Sequence, residues 1–340
     1  MLSVPNLSVK SNDMSTICVS VIVPAYNASA TIGQTLEALS RQKFSQSFEV
    51  IVVDDGSVDD TARIVRSFAS VKYIYQENAG PACARNHGAK LAQGEYLAFT
   101  DADCIPHEDW ISLLMKGFTV GTGLKSDRKV AVVAGGYGIA NQQSILARCI
   151  FKEILWRHNN LMPDFPNAFG SYNFCVKKSV FDTVGGFNTA YRRASGEDND
   201  LSYKIIQSGS WIYFQRKALV NHYHTTKVFK YLKEQFYHGF WRVKIYRDHP
   251  RMMCGDGYTF WKDIIEMPLA GCFLLGAAGF HWVKLSEIGF FILFPFLVFE
   301  VLWASVMTGG LGEGILFGFV LLFRAFARML GFLVGIFSLI

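Results

Sequence analysis

Two aspartates one residue apart, Asp101 and Asp103, close the short apolar run Leu97-Ala98-Phe99-Thr100, and Pro106 follows soon after. A strand that carries paired carboxylates to its own C-terminal edge puts them where open α/β sheets bind ligands. Hard divalent cations that carry phosphates are held by one or two carboxylates together with phosphate oxygens and water. Asp101 and Asp103 therefore read as a platform for a metal and a nucleotide diphosphate. The plainer reading is that they cap a helix expected to begin near residues 106–110. Asp54 and Asp55 repeat the arrangement at the end of Phe48-Glu49-Val50-Ile51-Val52-Val53, where they could accept hydrogen bonds from a base or ribose, or cap the next helix through Ser57 and Asp59-Asp60. Arg85 lies early in a helix expected over residues 82–93, placed to pair with phosphate or a base carbonyl, or to serve as a surface charge. Further on, Gly196-Glu197-Asp198-Asn199-Asp200 opens a helix with acidic residues, which a helix N-terminus favours in any case. In Val220-Asn221-His222-Tyr223-His224 the alternating histidines share one face of an extended segment, as metal ligands would.

The elements that must position these groups alternate. Strands are expected over residues 17–24, 48–53 and 71–75, near-continuous in Val, Ile and other apolar residues, as parallel strands buried on both faces are. Helical patterns run from about residue 29 to Arg41, with Ile32, Leu36 and Leu39 on one stripe, and through residues 61–68. Residues 130–136 and 211–214 read as further strands, and residues 148–173 as loops. Strand and helix in turn with short connections predict an α/β fold built on a doubly wound sheet. No Gly-x-Gly-x-x-Gly turn follows the first strand and no Walker loop is present, which argues against a nicotinamide, flavin or P-loop site.

The chain has 340 residues, a net charge of +5 and seven cysteines without a Cys-x-x-Cys pair. The cysteines read as scattered reduced thiols, Cys104 among them as a packing residue. Basic residues gather at 227–262, ahead of a charge-poor tail, a placement that suits an anionic membrane surface and not nucleic acid. The expected division is a polar segment over 1–16 without the features of a secretory signal, a catalytic domain over 17–250, and a membrane-associated tail over 251–340. Residues 264–283 and 288–308 are long enough to cross a bilayer as a hairpin, with Glu300 facing a helix or the protein surface. Residues 315–340, interrupted by Arg324 and Arg328, read as spanning or, by a small margin, as interfacial with the arginines at the headgroups. This layout predicts attachment to the cytoplasmic membrane with the catalytic domain in the cytosol.

Four motifs in order, Val19-Ser20-Val21-Ile22-Val23-Pro24-Ala25-Tyr26-Asn27, Val53-Asp54-Asp55-Gly56-Ser57, Ala84-Arg85-Asn86-His87-Gly88 and Phe99-Thr100-Asp101-Ala102-Asp103, resemble the family 2 glycosyltransferases over about residues 17–215. The resemblance implies the A-type glycosyltransferase fold, a nucleotide-diphosphate sugar as donor, a divalent cation such as Mg²⁺ or Mn²⁺, and inversion at the anomeric carbon. It makes Pro24, Ala25 and Tyr26 the surroundings of the nucleotide, Asp55 the partner of the base and Asp54 a support for that loop. Arg85 becomes a nucleotide contact, Asp101 a ribose or metal contact, and Asp103 the direct metal ligand, with His222 or His224 as a further one. Asp198 becomes the base that deprotonates the acceptor, with Asn173 and Glu197 near the donor or acceptor sugar. Lys204 stands where the family often has arginine, which puts a phosphate contact there in doubt. The Gln-x-x-Arg-Trp signature of processive members is out of register here, since Gln235 is followed by Tyr237-His238-Gly239 and then Trp241-Arg242. Addition of a single sugar to a lipid-linked or other glycan acceptor is therefore favoured over polymerisation. A polysaccharide synthase, or a noncatalytic nucleotide-sugar-binding membrane partner, is the alternative.

Overall fold

The computed structural model describes residues 17–124, 129–193, 195–254, 261–278 and 285–339. The expected polar segment 1–16 and the middle of the expected hairpin, residues 279–284, lie outside them. The first half alternates as its apolar runs require: β1 (Val19–Ala25), α1 (Ile32–Ser40), β2 (Phe48–Asp54), α2 (Thr61–Arg66), β3 (Val71–Tyr75), α3 (Pro81–Leu91) and β4 (Tyr96–Thr100). A short β5 (Cys104–Pro106) and α4 (Trp110–Leu124) follow, then β6 (Lys129–Ile139), α5 (Ile145–Asn160), β7 (Asn173–Lys177), α6 (Lys178–Thr183), α7 (Glu197–Gln207) and β8 (Ser210–His222).

The described strands form one mixed sheet in the order β3-β2-β1-β4-β7-β6-β8-β5. β1 to β4 are mutually parallel, β7 runs against β4 and β6, and β6 is parallel to β8. The C-terminal ends of β1, β2, β4, β6 and β8 consequently meet at one edge, and with them the candidate residues of four separate motifs. Side-chain alternation decides the layers. Val19, Val21 and Val23 of β1 pack with Leu36, Leu39 and Leu114 on one face, whereas Ile22 joins Ile51, Phe99 and the α3 alanines on the other. Both faces are covered, which is why these strands read as unbroken apolar runs.

Two stretches depart from the sequence expectation. Residues 148–160, expected as loop, lie in α5, which begins at Ile145 after Ser144, whose Oγ accepts from the Ala147 amide. Its inward face carries Glu153, Arg157 and His158, so no apolar stripe marks it in the sequence. β8 is longer than expected because residues 216–218 bulge past the β6 register between Gly135 and Gly136 and pairing then resumes to His222.

The C-terminal part comprises α8 (Val228–Asp248), a 3₁₀ turn at Pro250–Cys254, α9 (Trp261–Ala278), α10 (Leu285–Thr308) and α11 (Leu311–Leu339). Among the described residues, α11 is the helix long and apolar enough to cross a membrane, and the shorter Leu293–Thr308 stretch is also apolar. The arginines of α11 pair with side chains of other helices. Arg324 is buried and its guanidinium donates to both carboxylate oxygens of Glu153 on α5 at 2.8 and 2.9 Å. Arg328 bonds Gln235 of α8 and Glu266 of α9. Glu300 faces a helix, as expected of a carboxylate in an apolar segment, and accepts from Lys262 at 2.8 Å. α5 and α9 bring carboxylates to these arginines, a pairing across the chain that the sequence expectation did not include.

α8 and α11 approach so closely that a Cβ on Gly331 would lie 1.9 Å from the Phe236 carbonyl oxygen, and one on Gly239 would lie 2.0 Å from the Arg328 carbonyl oxygen. Gly331→Val should therefore lower stability by about 1–3 kcal/mol through overpacking. Gly312→Ala, at a position open within 4 Å, should change it little. Thermal unfolding of the detergent-solubilised protein compares the two.

Candidate active site

At the shared sheet edge, α3 presents Arg85, which is buried and donates to Asp101 at 2.8 Å and to Glu197 at 3.1 Å. One guanidinium thus joins the end of β4 to the start of α7, which lies 112 positions beyond Arg85 in the chain. The guanidinium also lies over the Phe187 ring. The neighbouring Asn86 donates to the Phe187 carbonyl and accepts from its amide, fixing the loop that precedes α7. Burial works against the Arg85 charge, but Asp101, Asp198 and Glu197 raise its pKa and hold it charged.

Glu197 accepts from the Ser195 amide at 2.7 Å, which anchors the first turn of α7. Burial, then the neighbouring Asp198 charge, push the Glu197 carboxyl up to about 8 against the pull of Arg85. Burial likewise raises Asp198. Among the described residues, the Asp198 Oδ1 is a buried oxygen with no hydrogen-bond partner. It is the kind of group that an incoming hydroxyl would satisfy.

Asp103 lies just past β4, where its carbonyl accepts from the Tyr223 amide and its carboxylate is 3.5 Å from His222 Nε2. Ligand atoms of Asp103, Cys104 and His222 lie within 4.8 Å of one another. His222 Nδ1 is 3.1 Å from His224 Nδ1. Burial first, and His222 second, carry His224 down to about 3, so it is a neutral neighbour that packs against His222. Asn141, which the sequence gave no reason to single out, grips His224 at both its amide and its carbonyl. Burial and the nearby Asp103 and Asp101 charges raise the Cys104 thiol far above its ordinary range, so it remains protonated. The donor set that fits a hard divalent cation is therefore carboxylate and imidazole, Asp103 with His222. Asp101, Asp198 and Glu197 all lie close enough to Arg85 to act on its charge.

The other expected residues divide. Pro24, Ala25 and Tyr26 end β1 at this edge, with Ala25 buried and Tyr26 55% exposed, open for a ring to stack. Asp54 supports its loop: it accepts from the Ser57 amide and from the Tyr73 hydroxyl. The Asp55 carboxylate is occupied by Gln76 Nε2 and the amides of Ala79 and Gly80, which positions the loop ahead of α3. Gly80 has φ of 92°, and a Cβ there would sit 2.7 Å from the Arg192 carbonyl oxygen. Asn173 does not line the cleft. It is fully buried, donates to the Gly136 and Ala218 carbonyls and accepts from Trp110 Nε1, and so locks β7 to β6 and β8. Lys204 is likewise turned inward, to Asp200 and the Gly186 carbonyl.

A search among known proteins returns consistent relatives. Validoxylamine A glucosyltransferase of Streptomyces hygroscopicus subsp. jinggangensis is 29% identical over 220 residues, covering 56% of this chain and 51% of that protein. Glycosyltransferase AglE of Haloferax volcanii is 28% identical over 236 residues, covering 67% and 74%. The chain spans about half the length of the Streptomyces glucosyltransferases that it matches. Among solved structures, the mannosyltransferase PcManGT of Pyrobaculum calidifontis, in complex with GDP-Man and Mn²⁺, superposes with a TM-score of 0.54 at 20% identity, covering 93% of this chain and 85% of that one, a likeness of fold. The profile of Glycosyl transferase family 2 matches residues 20–195, just over half of the chain. With its mixed sheet of the A-type glycosyltransferase fold and the acidic motifs gathered at one edge, the chain belongs to glycosyl transferase family 2.

Proposed function

We propose that the protein transfers a single sugar, with inversion, from a nucleotide-diphosphate sugar to a membrane-associated glycan or lipid-linked acceptor, using a divalent cation. The observation that carries this reading is the Arg85 bridge, which holds Asp101 and the Glu197-Asp198 turn around one cleft. Asp103 and His222 would hold the cation, with His224 packed against His222. When bound, the cation supplies positive charge for the departing diphosphate in place of a proton. Tyr26 and the loop held by Asp55 flank the nucleotide. Asp198 takes the proton of the acceptor hydroxyl as that oxygen attacks the anomeric carbon. Attachment through α11 would keep the enzyme beside membrane acceptors, and the basic residues of α8 suit a cytosolic face.

The test is donor turnover by the purified full chain, with several nucleotide sugars and a membrane extract as acceptor. Chelation should abolish turnover, and Mn²⁺ or Mg²⁺ should restore it. Asp103→Asn should raise the metal concentration for half-maximal rate by about 10-fold or more, as loss of a metal's supporting groups does. The product should carry one added sugar. Turnover indifferent to chelation, or a polymeric product, would overturn this assignment.

A further inference from the structure

A cavity of about 600 Å³ lies between α5, the 162–172 segment, the start of α7, and α8, α9 and α11. Its size is that of a small-molecule site. One end is formed by Gly170, Tyr172, Gly196 and Asn199, residues that flank Asp198. A Cβ on Gly170 would sit 3.7 Å from Asp198 Oδ2, so this end abuts the candidate base. Tyr137 forms part of the wall, stacked on Tyr172 at 3.8 Å and edge-on to His222 at 5.5 Å. α9 and α11 supply apolar lining, Ile264, Met267, Met329 and Phe332, together with Asp263, Arg324 and Arg328.

Charged groups also line or adjoin this cavity. Four acids, Glu153, Asp263, Glu266 and Glu300, pair with four bases, Arg157, Lys262, Arg324 and Arg328, in a network that is neutral in sum among the described residues. Arg242 also lines the cavity but belongs to no ion pair among the described residues, and its guanidinium is 5.8 Å from the Tyr246 ring. Tyr246 in turn packs at 6.4 Å on Phe332 of the apolar lining. On the other side, the α8 stretch that carries Arg242 touches the turn before Asp198, since His238 Nδ1 is 3.1 Å from Ser195 Oγ and a Cβ on Gly196 would lie 2.7 Å from Ile245. His238 does not compete as a cation. Burial, then Arg328 and Arg242, push it down to about 3.

Aromatic walls beside the candidate base, a guanidinium without an ion-pair partner among the described residues, and apolar lining from α9 and α11 meet in this cavity. We infer that the cavity is the acceptor compartment and takes a glycosylated long-chain lipid phosphate, its sugar against Tyr172, its phosphate on Arg242 and its chain against Met267, Met329 and Phe332. The inference rests on the transferase reading and names its acceptor class. In the step it serves, a sugar hydroxyl oxygen of the acceptor bonds to the donor's anomeric carbon, the hydroxyl proton passes to Asp198, and the nucleoside diphosphate leaves with the electron pair of the broken bond. Arg242 acts by seating the phosphate and so is a binding residue.

The experiment measures binding of three probes to the detergent-solubilised full chain: phytanyl phosphate, phytanol and inorganic phosphate. Phytanyl phosphate should bind about 10-fold or more tightly than phytanol, the effect of a hydrogen bond between charged groups. Inorganic phosphate at millimolar concentration should not displace it. Arg242→Gln should reduce phytanyl phosphate binding to the level of phytanol, and Arg242→Lys should keep part of the difference. Met329→Trp, which crowds the apolar lining, should weaken both lipids. Equal binding of the two lipids to the unaltered chain, displacement by free phosphate, or undiminished binding by Arg242→Gln would overturn the inference. The comparison of probes on the unaltered chain requires no variant. Donor hydrolysis by the same preparation reports on the transferase reading separately, since it needs no lipid.

Discussion

Asp198→Asn should slow sugar transfer by about 10²–10⁴-fold, the range over which a positioned general base acts. The amide keeps the shape of the carboxylate but cannot take a proton, so the loss should fall on kcat and leave the donor KM close to that of the parent. Stability should not fall with it. Burial raises both Glu197 and Asp198, so the ionised pair costs the folded state, and a neutral amide removes part of that cost. A parent-like or higher melting temperature together with slow transfer would identify a lost base. Transfer within a few-fold of the parent would show that Asp198 does not accept the proton.

The strand ends that carry this chemistry were legible in the sequence for a physical reason. β1, β2 and β4 are buried on both faces, so they stand out as apolar runs, and a carboxylate directly after such a run has little to do but face the sheet edge. Asp54, Asp101 and Asp103 are all placed in this way. Arg85 could be placed near the edge by its helix, but its role as the bridge to Glu197 depends on a pairing across 112 positions, which no local pattern encodes. Asn86 and Asn141 act by gripping distant main chain, and asparagine carries no signature for that task. Asn173 misled for the related reason that a side chain with two donors and an acceptor can serve a sugar or a sheet equally well, and here three internal partners claim it.

The C-terminal region was harder to read because its charges are satisfied by one another. Residues 148–160 looked like loop because Glu153 and Arg157 occupy the inward face of α5. The arginines of α11 looked like headgroup anchors because Glu153 lies 171 positions before Arg324. Once these are joined, the helices after residue 250 are not an appendage. Cys149 and Ile150 of α5 and Tyr231 of α8 share a buried cluster with Ala304 and Met307 of α10 and Phe317 and Leu321 of α11. The apolar lining of the proposed acceptor cavity is therefore held in register with the candidate base by the same contacts that join α5 and α8 to α10 and α11.

Arg324→Met tests that attachment, and it should destabilise the protein by about 3–5 kcal/mol, the cost of breaking a buried pair by removing one partner. Burial pushes the Glu153 carboxyl up, but Arg324 and then Arg157 pull it down to about 2. Its ionised form thus contributes stability at neutral pH, a contribution lost as the pH falls from about 4.3, the ordinary value for glutamate, toward that lower one. Without Arg324, Glu153 keeps, among the described residues, Arg157, which it shares with Asp263, and Glu266 loses one of three cationic neighbours. The double change Glu153→Met with Arg324→Met removes both charges and should recover a large part of the loss, because an apolar pair of similar volume needs no counter-ion. A headgroup arginine would behave otherwise: at an exposed position, Arg324→Met should shift stability by no more than about 0.5 kcal/mol. Thermal unfolding of both variants in detergent distinguishes the two placements, and a single variant that melts with the parent would return Arg324 to the membrane surface and detach α11 from α5.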